Sequence, residues 1–564
     1  MHKNSVRKWW KEGIVYQIYP RSFQDTTGTG IGDLRGIINR LDYIKSLGVD
    51  IIWLNPVYTS PNDDNGYDIA DYKGIMSEFG TMHDMEELVS EMKRRDLKLV
   101  MDLVVNHSSD EHKWFIESRK SRDNPYRDYY HWWPAEKGTP PKRWSYFDVD
   151  GNAWKFDEQT DAYYLHCFSV KQPDLKWENP ELRKEIYDIM KFWFDKGVDG
   201  FRMDVISFIS KDTDYPELPE KYKGDFIPYY ADGPKLHEFL QEMNAKILSK
   251  YDVMTVGEAP GVTRDQALNF VDENRKELNM FFHFDLMALD REPGETFLMR
   301  KEQWKLTEFK KIFSDWDAVF AEKGWGSIYL NNHDFPRSVS RWGNDSKIHW
   351  QNSATLLHTF LLSMRGTPYF YYGEEIGMTN IKFDKLSDYQ DINTRNRYEI
   401  IKKEGGDLEA FIRNEKYASR DNARTPMQWN NSKNAGFSVE RPWLKVNENF
   451  REGINVEEQE SEKDSVLNYF KKMINVRKNH LALVYGDYTL LLENHEQLYT
   501  YLRIWETERY LVLLNFSAKR TEFELNEIEF TKAKLIISND EANSLLVNNT
   551  FELRPYQATI YKLL

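Results

Sequence analysis

The sequence predicts a (β/α)₈ barrel with an inserted subdomain after its third strand and an antiparallel β domain at the end of the chain. Three observations indicate this architecture. Short apolar runs alternate with amphipathic helical stretches through about two thirds of the chain, a long aromatic segment interrupts them once, and strand-like alternation replaces them near the end. Because right-handed crossovers return each strand beside an earlier one, repeated βα units favour a parallel barrel.

Eight apolar runs supply the predicted barrel strands. Amphipathic stretches such as GDLRGIINRLDYIKSLG and MHDMEELVSEMKRRD lie between several of them and place apolar residues at helical spacing. We therefore expect strands at residues 14–19, 51–54, 98–105, 198–202, 253–256, 280–284, 327–330 and 368–371.

Two segments depart from this rhythm. The first contains WFIESRK, YRDYYHWWP and RWSYFDVDGNAWKFD, and it is too long for a simple loop, which predicts an inserted subdomain. The second contains DYTLLLEN, QLYTYLRIW and RYLVLLNF, which alternate as half-buried strands do. The predicted division is therefore barrel at 1–106 and 175–482, insertion at 107–174, and C-terminal β domain at 483–564.

Composition limits the classes of partner. The formal charge of −15 argues against nucleic acid or an anionic membrane as main partner, because both select basic surfaces. Cys167 is the single cysteine, so no intrachain disulfide forms, and no stretch approaches the ~18 apolar residues of a membrane span or forms the apolar region of a signal peptide. We expect a cytoplasmic protein, monomeric or weakly homo-oligomeric, that binds a small neutral ligand.

Three predicted strands deliver carboxylates at or just beyond their C-terminal ends: GFRMD gives Asp204, TVGE gives Glu258 and YLNNHD gives Asp334. A single acidic residue there is commonly a solvated loop group, but three in matching positions favour one site on the face where barrel active sites form. Glycosidic bond cleavage needs one carboxylate at the anomeric carbon and a second, of raised pKa, to protonate the leaving oxygen. A third would stabilise the oxocarbenium-like charge.

The motifs GFRMD, TVGE, NNHD and DLVVNHSSDEH resemble the four signature regions of the α-amylase superfamily of glycoside hydrolases. The likeness extends through QIYPRSFQD, GTPYFYYGEEIGMTN and SRDNARTPMQW and is strongest to the oligo-1,6-glucosidase and dextran glucosidase branch. It implies a retaining α-glucosidase in which Asp204 is the nucleophile, Glu258 the general acid/base and Asp334 the transition-state stabiliser. Arg202, on the same strand face as Asp204, would hold the nucleophile ionised and oriented.

The resemblance also implies a binding pocket for one terminal glucose. His107 and His333 match the histidines that contact hydroxyls of the non-reducing sugar, and Tyr67 matches the aromatic platform beneath it. Asp64 and Arg420 match the pair that closes the pocket behind that sugar, which would make the enzyme exo-acting.

Linkage preference depends on fewer residues. Val205 follows the nucleophile, and in the resembling family valine at this position accompanies a preference for α-1,6 linkages, whereas threonine or alanine accompanies α-1,4. We expect substrates such as isomaltose and isomalto-oligosaccharides. Hydrolases of maltose, sucrose or trehalose 6-phosphate and sucrose isomerases share the catalytic motifs and stay as alternatives, as does a non-catalytic sugar-binding or transporter-associated relative.

Several positions depart from the family pattern. The branch usually carries a calcium loop, but between Asp25 and Asp33 the sequence has Thr27 and Thr29 in place of amide and carboxylate ligands, so we expect no cofactor and no metal.

Aromatic residues and arginines near the later motifs also differ from close relatives. Phe335 and Tyr372 replace glutamines, and we expect both near the pocket mouth. The segment RSVSRW keeps only Arg337 and Arg341 of the arginine-rich loop typical of sucrose isomerases, which disfavours isomerisation.

Overall fold

The computed structural model describes residues 7–147, 151–222, 225–231, 233–293, 295, 297–321, 323–546 and 549–564. Eight parallel strands form its central sheet, and each lies within or beside one of the predicted apolar runs. In chain order they are β1 (Val15–Ile18), β2 (Ile51–Leu54), β3 (Lys98–Val104), β4 (Gly200–Asp204), β5 (Met254–Glu258), β6 (Met280–Phe282), β7 (Ser327–Ile328) and β8 (Thr367–Tyr371).

The strand order is β6-β5-β4-β3-β2-β1-β8-β7, so the sheet curls into a nearly closed barrel. Val15 pairs with Ile51 on one side and Tyr369 on the other, which brings the first and last strands together. The seam falls between β6 and β7, and β7 pairs through only two residues, with β8. This architecture confirms the predicted fold class.

Helices follow the strands and cover the barrel. The helix after β3, Pro180–Lys196, shows why these segments are helical: the Asn179 side chain accepts from the Glu181 amide, proline occupies the first helical position, and Gly197 ends the helix at φ 101°. The other outer helices are Leu34–Asn39, Leu41–Leu47, Met82–Arg94, Leu236–Lys246, Arg264–Val271, Leu306–Phe320, Trp350–Ser363 and Val466–Asn479.

Further helices lie in loops or at the rim of the barrel. A helical pair, Ile392–Lys403 and Leu408–Ala418, follows β8 and lies at the carboxyl ends of the strands. Shorter helices are Trp9–Glu12, Lys113–Ser118, Ile227–Tyr230, Asp285–Ala288, Ser338–Trp342, Asp421–Arg424, Val456–Ser461 and Ala482–Tyr485. Within the described ranges, no helix has the length and apolar character needed to cross a membrane.

The insertion after β3 forms a three-stranded antiparallel sheet. Its strands are Trp132–Pro134, Trp154–Asp157 and Ala162–Leu165, with the last in the middle. A bridge between His107 and Asp174 closes the insertion back onto the end of β3. After β2, a small hairpin of Tyr58–Thr59 and Asp71–Ile75 lies on the same side. The boundaries 106/107, 174/175 and 482/483 stay predictions.

The C-terminal region is an antiparallel six-stranded sheet of Asp487–Leu491, Leu498–Trp505, Glu508–Asn515, Ala558–Leu563, Ala533–Ser538 and Leu545–Leu546 in spatial order. A two-stranded sheet, Thr521–Glu524 with Thr550–Leu553, covers its outer face. Alternate residues point to opposite faces. Tyr499 and Tyr501 therefore join the barrel core, while Leu498 and Leu502 join a separate core beneath the two-stranded sheet.

Candidate active site

The three predicted catalytic carboxylates meet at the carboxyl ends of the barrel strands. Asp204 ends β4, Glu258 ends β5, and Asp334 lies in the loop after β7. All three line one cavity of about 390 Å³. Of the other predicted site residues, the following line the same cavity: Asp64, Tyr67, His107, Val205, His333 and Arg420. Arg202 lies directly behind them.

Arg202 is buried among three carboxylates. Its Nη1 lies 2.6 Å from Asp204 Oδ1 and 2.7 Å from Asp102 Oδ1, and its Nη2 lies 2.7 Å from Glu258 Oε2. The oxygens of Asp204 and Glu258 therefore contact neighbouring nitrogens of one guanidinium group and lie side by side. This arrangement suits the close carboxyl spacing of retaining glycosidases.

One positive charge is shared by three acids, so the carboxylates do not ionise equally. Burial raises the pKa of Asp204 to about 7 and that of Glu258 to about 8, in each case against the attraction of Arg202. Because the two groups interact, protonating Glu258 favours the charged form of Asp204. Because Glu258 has the higher pKa, the pair favours a neutral glutamic acid beside a charged aspartate, which a proton donor and a nucleophile require.

Asp334 has the opposite electrostatic environment. Burial opposes its ionisation, but the interaction with His333 and the guanidinium groups of Arg420 and Arg424 hold its pKa well below the usual range. The His333 Nδ1 accepts from the Gln17 amide at 2.9 Å, so its Nε2 carries the proton and donates to Asp334 Oδ2 at 3.1 Å. Burial lowers the pKa of His333 to about 3, which keeps the ring neutral at pH 7.

An ion-pair network forms one wall of the cavity. Arg420 Nη2 lies 3.2 Å from Asp64 Oδ1 and 2.6 Å from Asp391 Oδ1, while its Nη1 lies 3.0 Å from Asp334 Oδ1. The Gln172 amide donates to the other Asp64 oxygen at 3.2 Å. The predicted pair of Asp64 and Arg420 is thus in contact, and it joins the small hairpin after β2 to the segment after β8.

Tyr67 and His107 lie beside each other on the cavity floor. The Tyr67 ring stacks on His333, with ring centroids 5.1 Å apart and an interplanar angle of 4°. His107 Nε2 donates to the Tyr67 carbonyl at 3.1 Å, and its Nδ1 accepts from Asn106 at 3.2 Å. A sugar hydroxyl therefore reaches this histidine by sharing or replacing one of these hydrogen bonds.

Val205 has a strained backbone at the mouth of β4. Its φ is 33° and its ψ is 42°, a left-handed conformation that β-branched residues rarely adopt. Such strain costs about 1–3 kcal/mol and persists where the surrounding structure requires it. Here it aims the Val205 amide at Glu258 Oε2, 3.0 Å away. The side chain lines the cavity beside both carboxylates.

Sequence reasoning did not single out several residues of the site. Asp102 is fully buried in β3, contacts Arg202 and accepts from the Trp53 indole at 2.8 Å. It opens the motif DLVVNH, which also contains His107. A charged residue within an otherwise apolar strand could have indicated a buried functional carboxylate. Arg424 contacts Asp334 at 2.9 Å and lies one helical turn after Arg420.

Three further residues gave no local signal. Gln17 orients His333, Gln172 orients Asp64, and Asp391 binds Arg420. Each is an ordinary polar residue in the sequence. Only the tertiary structure brings them to the site, because Gln17 and Gln172 lie more than 100 residues from their partners along the chain and Asp391 lies 29 residues before Arg420.

The expectation that both Phe335 and Tyr372 lie near the pocket mouth is wrong for Tyr372. Phe335 lines the cavity, but Tyr372 is fully buried and donates to the Thr425 carbonyl at 2.7 Å. Arg337 is also fully buried, where it caps the Tyr372 carbonyl, and Arg341 makes a bidentate pair with Asp290 at 2.6 Å. Neither of these two arginines lines the cavity.

Hydrogen-bond donors surround Asp25 in the loop of residues 25–33. Asp25 accepts from the amides of Thr27, Gly28 and Gly30 at 2.8–2.9 Å and from the Ser438 hydroxyl at 2.6 Å. N–H and O–H donors thus reach both carboxylate oxygens, and Thr27 and Thr29 supply no carboxylate or amide oxygen to the six to eight ligands that Ca²⁺ takes. Among the residues that the structure describes, no group of three or more His, Cys, Asp or Glu side chains is arranged to hold a metal ion.

Comparison with known proteins agrees with this geometry. The α-amylase catalytic-domain model matches residues 17–486, and the maltogenic amylase C-terminal domain model matches residues 488–560. An oligo-1,6-glucosidase of Parageobacillus thermoglucosidasius is 54% identical, with 99% of each chain covered. One of Bacillus cereus is 51% identical, with 99% of this chain and 100% of the relative covered.

A solved structure gives the same result. The crystal structure of isomaltulose synthase from Klebsiella sp. LX3 superposes with a TM-score of 0.96 at 44% identity, covering 99% of this chain and 100% of that one. Matched family models span nearly the whole chain, and the carboxylates meet at the carboxyl ends of a parallel barrel. The protein therefore belongs to the α-amylase family of glycoside hydrolases.

Proposed function

We propose that the protein is an exo-acting, retaining α-glucosidase that hydrolyses α-1,6 bonds at the non-reducing ends of short isomalto-oligosaccharides. The main observation behind this proposal is a pair of adjacent carboxylates whose pKa values differ. Asp204 and Glu258 touch the same guanidinium group, and burial gives Glu258 the higher pKa. The identity to oligo-1,6-glucosidases over the full length supports the linkage.

Two displacements would complete the reaction. An Asp204 oxygen attacks the anomeric carbon while the Glu258 carboxyl gives its proton to the glycosidic oxygen, so the bond to the leaving sugar breaks and a glucosyl–aspartate ester forms. Glu258, now ionised, then takes a proton from water, whose oxygen attacks the same carbon and releases Asp204. Two inversions give α-glucose.

Asp334 would stabilise the positive charge that develops on the sugar ring. Its ionised state is secured by two arginines and a neutral histidine, so it presents a fixed negative charge without competing for the catalytic proton. Arg202 would keep Asp204 oriented and charged at the moment of attack. Tyr67 would support the apolar face of the sugar, and His107 and His333 would contact its hydroxyls.

The ion pair of Asp64 and Arg420 would restrict the pocket to a single terminal glucose. The two side chains meet at 3.2 Å, and Asp391 fixes the arginine from behind. A chain that continued past the non-reducing end would have to separate a buried pair, which is unfavourable. This supports exo-action.

The lining charges favour a neutral substrate over a phosphorylated one. Among the described lining residues, nine are aspartate or glutamate and three are arginine. The three arginines are already in contact with carboxylates: Arg291 with Asp290, Arg397 with Glu415, and Arg420 with Asp64 and Asp391. A phosphate group needs cationic donors. Trehalose 6-phosphate hydrolysis is thus the less supported alternative, and the buried Arg337 and Arg341 give no support to isomerisation.

The experiment is a substrate panel of isomaltose, isomaltotriose, maltose, sucrose and trehalose 6-phosphate, with released glucose and its first-formed anomer followed by NMR. We expect α-glucose from isomaltose and isomaltotriose and little from the others. Val205→Thr, which changes only the side chain beside the two carboxylates, is expected to raise the ratio of maltose to isomaltose hydrolysis. First-formed β-glucose would contradict retention, and preference for maltose in the parent protein would contradict the linkage.

We propose in addition that the protein works in the cytoplasm, without a metal ion, as a monomer or weak homo-oligomer on neutral oligosaccharides. The single buried cysteine, Cys167, suits a reducing compartment, and the donors around Asp25 take up the oxygens that calcium would use. Calibrated gel filtration and localisation of a tagged chain test these points.

A further inference from the structure

Two consecutive glutamates are buried immediately after β8. Glu374 and Glu375 begin the 3₁₀ turn Glu374–Ile376, and their exposed fractions are 4% and 0%. Two adjacent buried carboxylates are expensive unless their oxygens are hydrogen-bonded. The two side chains find their partners in different parts of the barrel.

Glu375 holds the outer part of the barrel near its first strand and helix. One of its oxygens accepts from the hydroxyls of Tyr16 and Tyr43 at 2.7 and 2.8 Å, and the other accepts from the Gly373 amide at 2.7 Å. None of these partners lines the catalytic cavity.

Glu374 instead holds the segment that carries Asp334. The Asn331 side-chain nitrogen faces Glu374, at 2.8 Å from Oε1 and 3.1 Å from Oε2, because the opposite orientation would place an amide oxygen against two carboxylate oxygens. The Ser338 hydroxyl also donates to this carboxylate, and the Tyr371 amide donates to Oε2 at 2.7 Å. Asn331 lies three residues before Asp334, and Ser338 lies four residues after it.

The sheet itself gives this segment little support. In the part of the chain that the structure describes, its strand, β7, has two residues and pairs only with β8, because β7 lies at the seam of the barrel. β4 and β5, which carry the other two carboxylates, each pair with strands on both sides. The loop of Asp334 therefore depends on side chains for the rigidity that a ladder gives to Asp204 and Glu258.

We propose that Glu374 is a positioning residue that clamps both ends of the Asp334 loop and thereby fixes the third carboxylate for glucosyl transfer. The proposal rests on the proposed function of Asp334. Glu374 does not line the cavity, so it acts only through Asn331 and Ser338. A displacement of about 1 Å at a catalytic group can lower the rate about 100-fold.

The test compares Glu374→Gln with Glu375→Gln, because both remove a buried carboxylate charge in the same turn. The glutamine in Glu374→Gln keeps one acceptor oxygen, so the Asn331 amide or the Ser338 hydroxyl must turn to accept from the new NH₂ group, and one end of the clamp shifts. With the best substrate of the panel, we expect kcat to fall about 10- to 100-fold in Glu374→Gln with KM changed less than about threefold. We expect kcat of Glu375→Gln within about twofold of the parent.

Two further measurements separate positioning from general destabilisation. In an Asp334→Asn background, Glu374→Gln is expected to lower kcat by less than about twofold more, because the two residues act as one unit. Hydrogen exchange of residues 329–338 is expected to quicken in Glu374→Gln and in Asn331→Ala but not in Glu375→Gln, and this holds whatever substrate the enzyme uses.

The outcomes are distinct. Equal kcat in the two glutamine variants, or unchanged exchange of residues 329–338 in Glu374→Gln, would overturn the clamp. A parent protein inactive on every glucoside would overturn the proposed function, while the exchange experiment would still decide whether Glu374 holds the loop.

Discussion

Buried arginines serve two regions of this molecule in different ways. In the catalytic cavity, Arg202 contacts three carboxylates. Between the barrel and the C-terminal sheet, Arg477 donates to four backbone carbonyls at 2.6–2.9 Å, three of them just beyond or within the end of helix Trp350–Ser363. Arg503 likewise donates to the carbonyls of Ser363, Leu483 and Gly486.

The partners decide the consequence. Carboxylates around a single guanidinium group compete for one charge, so their pKa values separate and give an acid and a base. Carbonyls do not titrate, so at the interface the guanidinium groups satisfy the open end of a helix, and Arg503 joins the C-terminal sheet to it. Burial lowers the pKa of both interface arginines. The first region should control rate and the second should control stability.

The largest expected effect is loss of the nucleophile. Asp204→Asn should lower kcat/KM on isomaltose by about 10⁴-fold or more. At pH values above 7, the Tm of this variant should equal or exceed that of the parent, because burial disfavours the charged aspartate that the asparagine replaces. Steady-state kinetics and thermal melting measure both. The control is Asp188→Asn, which changes an exposed aspartate. A fall in Tm large enough to explain the lost activity would contradict the assignment of rate to the cavity and stability to the interface.

The converse variant is in the interface. Arg477→Met takes the guanidinium donor from four buried carbonyls, of which only that of Leu483 keeps Arg503, and should lower the free energy of unfolding by about 3–5 kcal/mol, with kcat of the folded enzyme unchanged. Denaturant unfolding and activity at low temperature test this. Arg451→Met, an exposed arginine, serves as the matched control. A stable variant with lowered kcat would show that the interface controls catalysis.

The pH dependence of kcat/KM tests whether the carboxylates around Arg202 act as a separate base and acid. Below about pH 7 Asp204 gains a proton and ceases to be a nucleophile, and above about pH 8 Glu258 loses the proton that it must donate. We expect kcat/KM to fall about tenfold per pH unit on each side of a narrow maximum. Glu258→Gln, assayed on an aryl glucoside whose leaving group needs no acid, should lose the alkaline limb. If the alkaline limb persists in this variant, a group other than Glu258 causes it.

The smallest effect is expected from adding or removing calcium at Asp25. The partners of this carboxylate are backbone amides and hydroxyls, which do not titrate, just as the carbonyls around Arg477 do not. Calcium or EDTA should move Tm by less than about 1 °C, whereas a site saturated to 100 times its Kd would contribute about 2.7 kcal/mol. Thermal melting across a calcium titration measures this. A saturable rise in Tm would contradict the expectation.

Much of the fold and the core of the site were predictable because their signals are local. The eight apolar runs located every barrel strand, although β4 begins at Gly200 and not at residue 198, since the preceding helix ends through Gly197 in a turn. The motifs GFRMD, TVGE and NNHD put their acids at strand ends, and parallel strands bring such ends to one face.

The contacts of those residues were decided by the tertiary structure. The sequence determined that Asp204, Glu258 and Asp334 share one face of the barrel, but not that Arg202 divides its charge among three acids or that Asp334 rests on Arg424 and His333. Tyr372 is a second example of a contact that the sequence did not predict. Its place beside a motif suggested a position at the pocket mouth, but in the folded barrel its side chain is fully buried. Strand ends follow from local apolar periodicity, whereas side-chain partners depend on which distant segments the closing barrel brings together.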